Sequence, residues 1–319
     1  MSVTRPLVIA LVAVLAVAGS AQAGGTIRGF VLLPAEGRVA LVDVGAGRVL
    51  STVRVPRGAG VLAASIDGTR LLVANAHRGI VVQIDGITGR RVRTFSGLGR
   101  PVGLVLLPRT GVGYVRPRFA IVLDARGWLD VLDLDRGRVV DRLAVPEPAH
   151  FALAADQLWV TSARSARLTQ IDASTPNKLR ILGGMSGAGV PAAIAPDPSG
   201  LPDVEIATTD GTIEQVNGIT LKGRVVCRRV GRVTALLSGY HGVVWVAEAD
   251  GRVFGIRVGD GATTFVMHVP PASRVAIVGG WLSALRAESL QMLALGTSRH
   301  VATTTFPSVA GAFTYAALP

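Results

Sequence analysis

The stretch LLVANAHRGIVVQIDGITGRRVRTF, residues 71–95, decides how this chain is read. Apolar alternation in Leu71–Asn75 and again in Ile80–Asp85 marks two strands. The short glycine-ended segment between them is a hairpin signal. A second turn, Gly86–Arg90, leads into a third strand at Arg91. Just upstream, GVLAAS (residues 60–65) is a short run of small apolar residues, suited to a strand covered on both faces. Four strands therefore fit within residues 60–95.

The same unit returns along the chain. Windows like GIVVQID, which ends at Asp85, occur as GRVALVD ending at Asp43, GWLDVLD at Asp133 and ARLTQID at Asp172. They continue as GTIEQVN ending at Asn217, GRVFGIR at Arg257 and AESLQML at Leu293. Each has an upstream partner such as FAIVLDA, QLWVTSA, VEIATTD or VVWVAEA, and before that a short small-residue run. Seven copies of a four-stranded unit at this spacing predict an all-β fold, a seven-bladed β-propeller. The segment Gly184–Gly189 is read as a long connection. TIRGFVLLP (residues 26–34) has the character of a second strand with no first strand before it, and the C-terminal PSVAGAFTYAALP ends in a lone strand. The expectation is that the C-terminal strand completes the N-terminal blade.

Residues 1–23 stand apart. Arg5, the apolar run Leu7–Ala18 and the small-residue site Ala21–Ala23 make a secretory signal peptide. The run is short for a membrane span. The propeller is then residues 24–319, secreted or periplasmic, monomeric and without a membrane span. Cys227 is the single cysteine, so no internal disulfide can form.

The net charge is +12, and Lys178 and Lys222 are the only lysines among 33 basic residues. Such a charge raises the question of a polyanion partner. The arginines are dispersed and the aromatic content is 5%, which leaves little for base stacking and argues against nucleic acid. Basic residues placed at the start of outer strands, such as Arg48, Arg91, Arg138 and Arg224, guard exposed sheet edges. Attraction to anionic cell-envelope polymers is a further consequence of the charge.

The second unit closely resembles the YVTN-type β-propeller repeat. LLVAN (Leu71–Asn75), SIDGTR (Ser65–Arg70) and IDGITGRRV (Ile84–Val92) stand where that repeat has its signature strand and its two turns. The resemblance weakens from Asn217 onward. It implies the lactonase-like seven-bladed superfamily, which includes enzymes, cofactor-bearing dehydrogenases and plain binding scaffolds. In such propellers ligands meet the face made by the loops before the inner strands and the hairpin loops.

On that face the strand assignment puts Arg57, Arg100, His150, Arg232 and Arg274 just before successive inner strands. Convergent guanidinium groups suit a carboxylate or a phosphate, since the planar fork donates two parallel hydrogen bonds. No GxSxG elbow, P-loop or HExxH is present, the histidines are dispersed, and no metal or cofactor is expected. His150 with Glu248 is the one pair that could serve acid–base chemistry on a lactone or cyclic ester. Asp43, Asp85, Asp133 and Asp172 recur at one repeat position, which points to turn formation. Trp128, Trp159, Trp245 and Trp281 fall within strands and are expected to pack between blades. The expectation from sequence is a non-catalytic scaffold that binds a protein partner or small anionic ligand at the channel mouth. A lactonase-like or lyase-like enzyme at the same face is the alternative.

Overall fold

Twenty-eight strands and no helix occur among the described residues, and the strands form seven antiparallel sheets of four. The computed structural model describes residues 27–107, 117–197, 199, 201–228, 230–239, 242–269, 274–278, 281–294, 300–308 and 310–317. The signal-peptide reading of residues 1–23 lies outside them.

Written from the inner strand outward, blade 1 is Ala312–Ala317, Ile27–Leu33, Arg38–Asp43 and Arg48–Arg54. Blade 2 is Val61–Ala64, Arg70–Asn75, Ile80–Asp85 and Arg91–Phe95. Blade 3 is Pro101–Leu107, Phe119–Asp124, Trp128–Asp133 and Arg138–Ala144. Blade 4 is Pro148–Ala154, Gln157–Ser162, Arg167–Asp172 and Arg180–Ser186. Blade 5 is Pro191–Pro196, Val204–Thr208, Ile213–Val216 and Gly223–Cys227. Blade 6 is Val233–Ser238, Val243–Glu248, Arg252–Arg257 and Thr263–His268. Blade 7 is Arg274–Val278, Trp281–Leu285, Ser289–Ala294 and His300–Thr305. Gly184–Ser186, expected in a long connection, belong to the outer strand of blade 4. That strand bulges between Gln170 and Ile171 of its partner, and two glycines mask its alternation.

The C-terminal strand pairs with Ile27–Leu33 over six registered positions, from Ile27↔Ala317 to Leu32↔Ala312. Inner strands of neighbouring blades lie side by side around the ring, with that of blade 1 between those of blades 7 and 2.

Side chains on a strand alternate between faces, so each blade offers one apolar set to the blade before it and one to the blade after. Phe30 and Leu32 meet Leu71 and Val73 at the seam of blades 1 and 2. Trp159 meets Val204 and Ile206 at the seam of blades 4 and 5. Val31 and Leu33 meet Leu285, Leu290 and Phe306 where blade 7 meets blade 1. Second and third strands are covered on both faces, while outer strands such as Arg180–Ser186 stay exposed along most of their length. Inner strands crowd together: a Cβ on Gly103 would lie 2.3 Å from Cε1 of Phe151 in the next blade, so only glycine fits there.

The recurring aspartates close the turns between third and outer strands. Oδ1 of Asp85 accepts the Ile87 and Thr88 N–H groups at 3.0 and 2.8 Å, and Oδ1 of Asp133 accepts those of Asp135 and Arg136 at 3.0 and 2.9 Å. Asn217 does the same with Ile219 and Thr220 at 3.1 and 2.8 Å. An amide oxygen serves as well as a carboxylate for this bond, so loss of the aspartate there leaves the turn intact.

Candidate functional site

The upper face of the ring carries the loops that enter the inner strands and the hairpin turns between second and third strands. Its geometry begins with a short polar residue that ends the second strand. Asn75, Asp124, Ser162, Thr208 and Glu248 occupy that place and are buried. Asn75 donates its Nδ2 to the Arg57 carbonyl at 2.7 Å. Oδ1 of Asp124 accepts the backbone N–H of Arg100 at 2.9 Å and of Arg126 at 3.0 Å. Oε1 of Glu248 accepts the Gly231 N–H, and its Oε2 lies 3.2 Å from Nε of Arg252. These side chains supply the partners that loop backbone would otherwise lack. After four of the five the next residue bonds back to the entering loop: Ala125 to Arg100, Ala163 to Glu147, Thr209 to Val190 and Ala249 to Arg232. The sequence carries this device as a repeated polar residue at the strand end, in LLVAN, AIVLD and VWVAE. Its spacing could have shown it; its chemical variety hid it.

The five basic residues expected at the mouth fall into two groups. Arg57, Arg100 and Arg232 are exposed on the rim, with backbones held by the clamps just described. His150 and Arg274 sit one register level deeper, within the inner strands of blades 4 and 7. They pair with Thr161 and Leu285, and their counterparts in the other inner strands are Val61, Gly103, Ala193, Ala235 and Ala312. The ring at this level is otherwise apolar and mostly small. In blades 3 to 6 a β-bulge at the top of the inner strand precedes it, as between Pro148 and His150, and re-aims the chain at the mouth.

Arg274 is largely buried, and burial pushes its guanidinium down to about 10. Nε donates to the Gly311 carbonyl at 2.9 Å, and among the described residues no carboxylate pairs with it. Among those residues it is the one guanidinium at this level of the ring, a positive charge without a counter-ion.

Burial holds the His150 imidazole down to about 4, so it is neutral at pH 7. Its backbone N–H donates to Oγ1 of Thr161 at 3.1 Å. His150 and Glu248 stand on blades 4 and 6, and no hydrogen bond or ion pair joins them. The carboxylate is committed to Gly231 and Arg252, and an imidazole so weakly basic makes a poor proton acceptor at neutral pH. The pair expected from sequence is therefore not assembled as an acid–base couple. The depressed His150 value has a consequence for stability. Above its ordinary value of 6.5 both folded and unfolded chains carry it neutral. As the pH falls toward about 4 only the unfolded chain takes the proton, so stability is lost across that window, on the order of 2–3 kcal/mol. Urea midpoints at pH 7 and pH 4.5 should fall less with acid in His150→Gln than in the parent. Equal falls in both would contradict the buried imidazole.

Trp159 and Trp245 are inter-blade packing residues, as expected. Trp128 is not: it is 38% exposed at the upper end of its strand, with the Arg142 guanidinium 5.8 Å from its ring centre. Among the described residues no group of three or more His, Cys, Asp or Glu side chains is arranged to hold a metal ion.

Solved structures share this architecture. A functionally unknown protein from Desulfotomaculum acetoxidans DSM 771 is 12% identical, with a TM-score of 0.76 over 92% of this chain and 99% of that one. AztD from Citrobacter koseri, in its apo structure, is 14% identical, with a TM-score of 0.67 over 92% and 99%. A chain of Kuenenia stuttgartiensis hydrazine synthase is 14% identical, with a TM-score of 0.67 over 84% and 92%. Identities this low establish the fold and nothing of the chemistry. No protein-family model matches the chain, and no curated protein sequence matches it.

Proposed function

We propose that this seven-bladed propeller is an extracytoplasmic binding scaffold that takes a small carboxylate- or phosphate-bearing ligand at its channel mouth and does no chemistry on it. The observation that carries the reading is Arg274: a largely buried guanidinium bonded, among the described residues, only to a backbone carbonyl, in a ring that is otherwise apolar apart from the neutral His150. Leaving such a charge without a counter-ion costs stability, and an anion arriving there removes the cost. Arg57, Arg100 and Arg232 on the rim add a positive field that draws an anion toward the mouth. The N-terminal segment, with Arg5, its apolar run and Ala21–Ala23, supports export. The likeness of Leu71–Phe95 to the YVTN-type repeat supports a place among the lactonase-like propellers. Against a lyase or lactonase activity stand the separation of His150 from Glu248 and the commitment of Glu248 to loop backbone.

Calorimetric titration of the exported chain with simple carboxylates and sugar phosphates tests this. A bound anion should lose at least about tenfold in affinity in Arg274→Gln, which keeps a donor for Gly311. Arg100→Ala with Arg232→Ala should weaken binding only at low salt, because exposed charges are screened. Affinity unchanged in Arg274→Gln, or no heat and no melting shift with any anion, would end this reading. Retention on anionic wall polymers that vanishes with salt would instead place the function in the surface charge.

A further inference from the structure

On the lower half of blade 5, Glu205 occupies a place where other blades keep an apolar core residue. It is the second residue of Val204–Thr208, faces blade 6 and is fully buried. The equivalent positions hold Phe30, Leu72, Ile121, Trp159 and Trp245, with Ser283 in blade 7. In blades 2, 4 and 5 the cross-strand partner is glutamine: Leu72↔Gln83, Trp159↔Gln170 and Glu205↔Gln215.

Among the described residues neither carboxyl oxygen of Glu205 has a hydrogen-bond partner, and its own backbone N–H is the one donor that acts on it. Two further carboxylates act on it, Asp197 within hydrogen-bonding reach and Asp203 beside it. Both of those are already supplied with donors. Asp197 accepts the Ser199 N–H at 2.7 Å and Nε2 of Gln215 at 3.0 Å, and Gln215 is in turn held by Nη2 of Arg224 at 2.9 Å. Asp203 accepts the Gly218 N–H at 2.8 Å and Nδ2 of Asn217 at 3.2 Å. On the face of blade 5 that meets blade 6, Ala195 and Ala207 pack against Leu236, Val244 and Val246, all apolar. The charged pair in the lower turn of blade 6, Arg257 and Asp260, is half-exposed and bonded to itself at 2.7 Å. Among the described residues no cation acts on Glu205. Tyr240 and His241 lie outside the described residues.

A buried carboxyl with no side-chain donor among the described residues and two carboxylates beside it is stable in one form, the neutral acid, whose O–H can donate to Asp197. We propose that Glu205 is a proton-binding site in the seam between blades 5 and 6, where one proton shared with Asp197 holds the seam and its loss as the pH rises loosens it. When the proton leaves, a third negative charge joins those of Asp197 and Asp203, with no cation among the described residues to offset it. Burial and the two neighbouring aspartates hold the Glu205 carboxyl well above the usual carboxylate range. The folded chain thus keeps a proton that the unfolded chain has already released, and stability falls as the pH rises through that interval. One proton corresponds to a tenfold change in the unfolding constant per pH unit.

The test combines infrared spectroscopy with pH-dependent unfolding. At pH 7 the parent should show the carbonyl band of a protonated carboxylic acid, and that band should be missing in Glu205→Gln. The glutamine amide donates permanently to Asp197, so the variant should lose the destabilisation that the parent shows as the pH rises above the ordinary carboxylate range, and melt higher than the parent at pH 8. A band that persists in the variant, or stability curves that stay parallel from pH 6 to 9, would overturn the proposal. Should the variant fail to fold, the parent's band is titrated directly and compared with Asp197→Asn, which removes one neighbouring charge and should move its loss to lower pH. An identical titration in Asp197→Asn would overturn the shared proton. A melting temperature raised by calcium in the parent but not in Glu205→Gln would also overturn it, since the group would then be holding a cation.

Discussion

A chain ended after Ser308 should not show a cooperative unfolding transition. That deletion removes the inner strand of blade 1, which contributes six registered pairs to Ile27–Leu33. Each backbone hydrogen bond is worth about 0.5–1.5 kcal/mol, and losing the strand also uncovers the apolar residues around Phe30 and Leu32. The sum rivals the 5–15 kcal/mol that typically holds a native domain. The effect is larger than for an ordinary terminal strand because it opens the ring: the inner strands of blades 7 and 2 both lose a neighbour. Soluble expression and a differential scan would read the result. Adding a peptide of residues 309–319 back to the shortened chain should restore the transition. A shortened chain that melts cooperatively at the parent's temperature would show that the clasp is dispensable.

Trp159→Ala should cost about 3–5 kcal/mol, the largest loss expected of a single side chain here. The indole is fully buried between blades 4 and 5, against Val204, Ile206 and Val216. Its Nε1 donates to the Pro202 carbonyl at 2.9 Å, so truncation leaves both a cavity and a carbonyl without its donor. Trp159→Phe refills most of the cavity but not the hydrogen bond, and should cost about 1–3 kcal/mol. Urea unfolding of the three proteins separates the terms, with midpoints falling at unchanged slope. A Trp159→Ala midpoint within experimental error of the parent would mean the seam does not depend on this packing. Trp245 is the matching residue at the seam of blades 6 and 7, where Leu282 and Ala284 face it. Trp128, the tryptophan on the rim, should tolerate alanine far better because its ring is already open to solvent.

The contrast among the tryptophans shows where sequence reasoning stops. All four lie in strands of similar pattern, and alternation alone cannot say whether a strand's first residue lies under the next blade or on its rim. The carboxylates divide in the same way. Asp43, Asp85, Asp133 and Asp172 could be read as turn residues because their role is local: the accepting oxygen and the donating N–H groups lie within three residues. Asp124 and Glu248 could not, since their partners Arg100 and Gly231 lie 24 and 17 residues away. Glu205 was legible only as a polar residue in an apolar strand. That it lacks a donor depends on Asp197, Asp203 and the facing blade together.

The sequence by itself determined the architecture. Strand alternation, glycine-marked hairpins and a sevenfold repeat are properties of short segments, and a ring of sheets follows from repeating one unit that must bury both faces. It also located the basic residues at the upper ends of the inner strands. Only the tertiary structure decided which of them are removed from water. Arg57, Arg100 and Arg232 remain in water, whereas Arg274 and His150 lie deep in the inner ring, where one keeps an unpaired charge and the other loses its own. Charge state and hydrogen-bond partnership depend on how far neighbouring blades remove water from a group. That is fixed by contacts between residues distant in sequence, which no local pattern records.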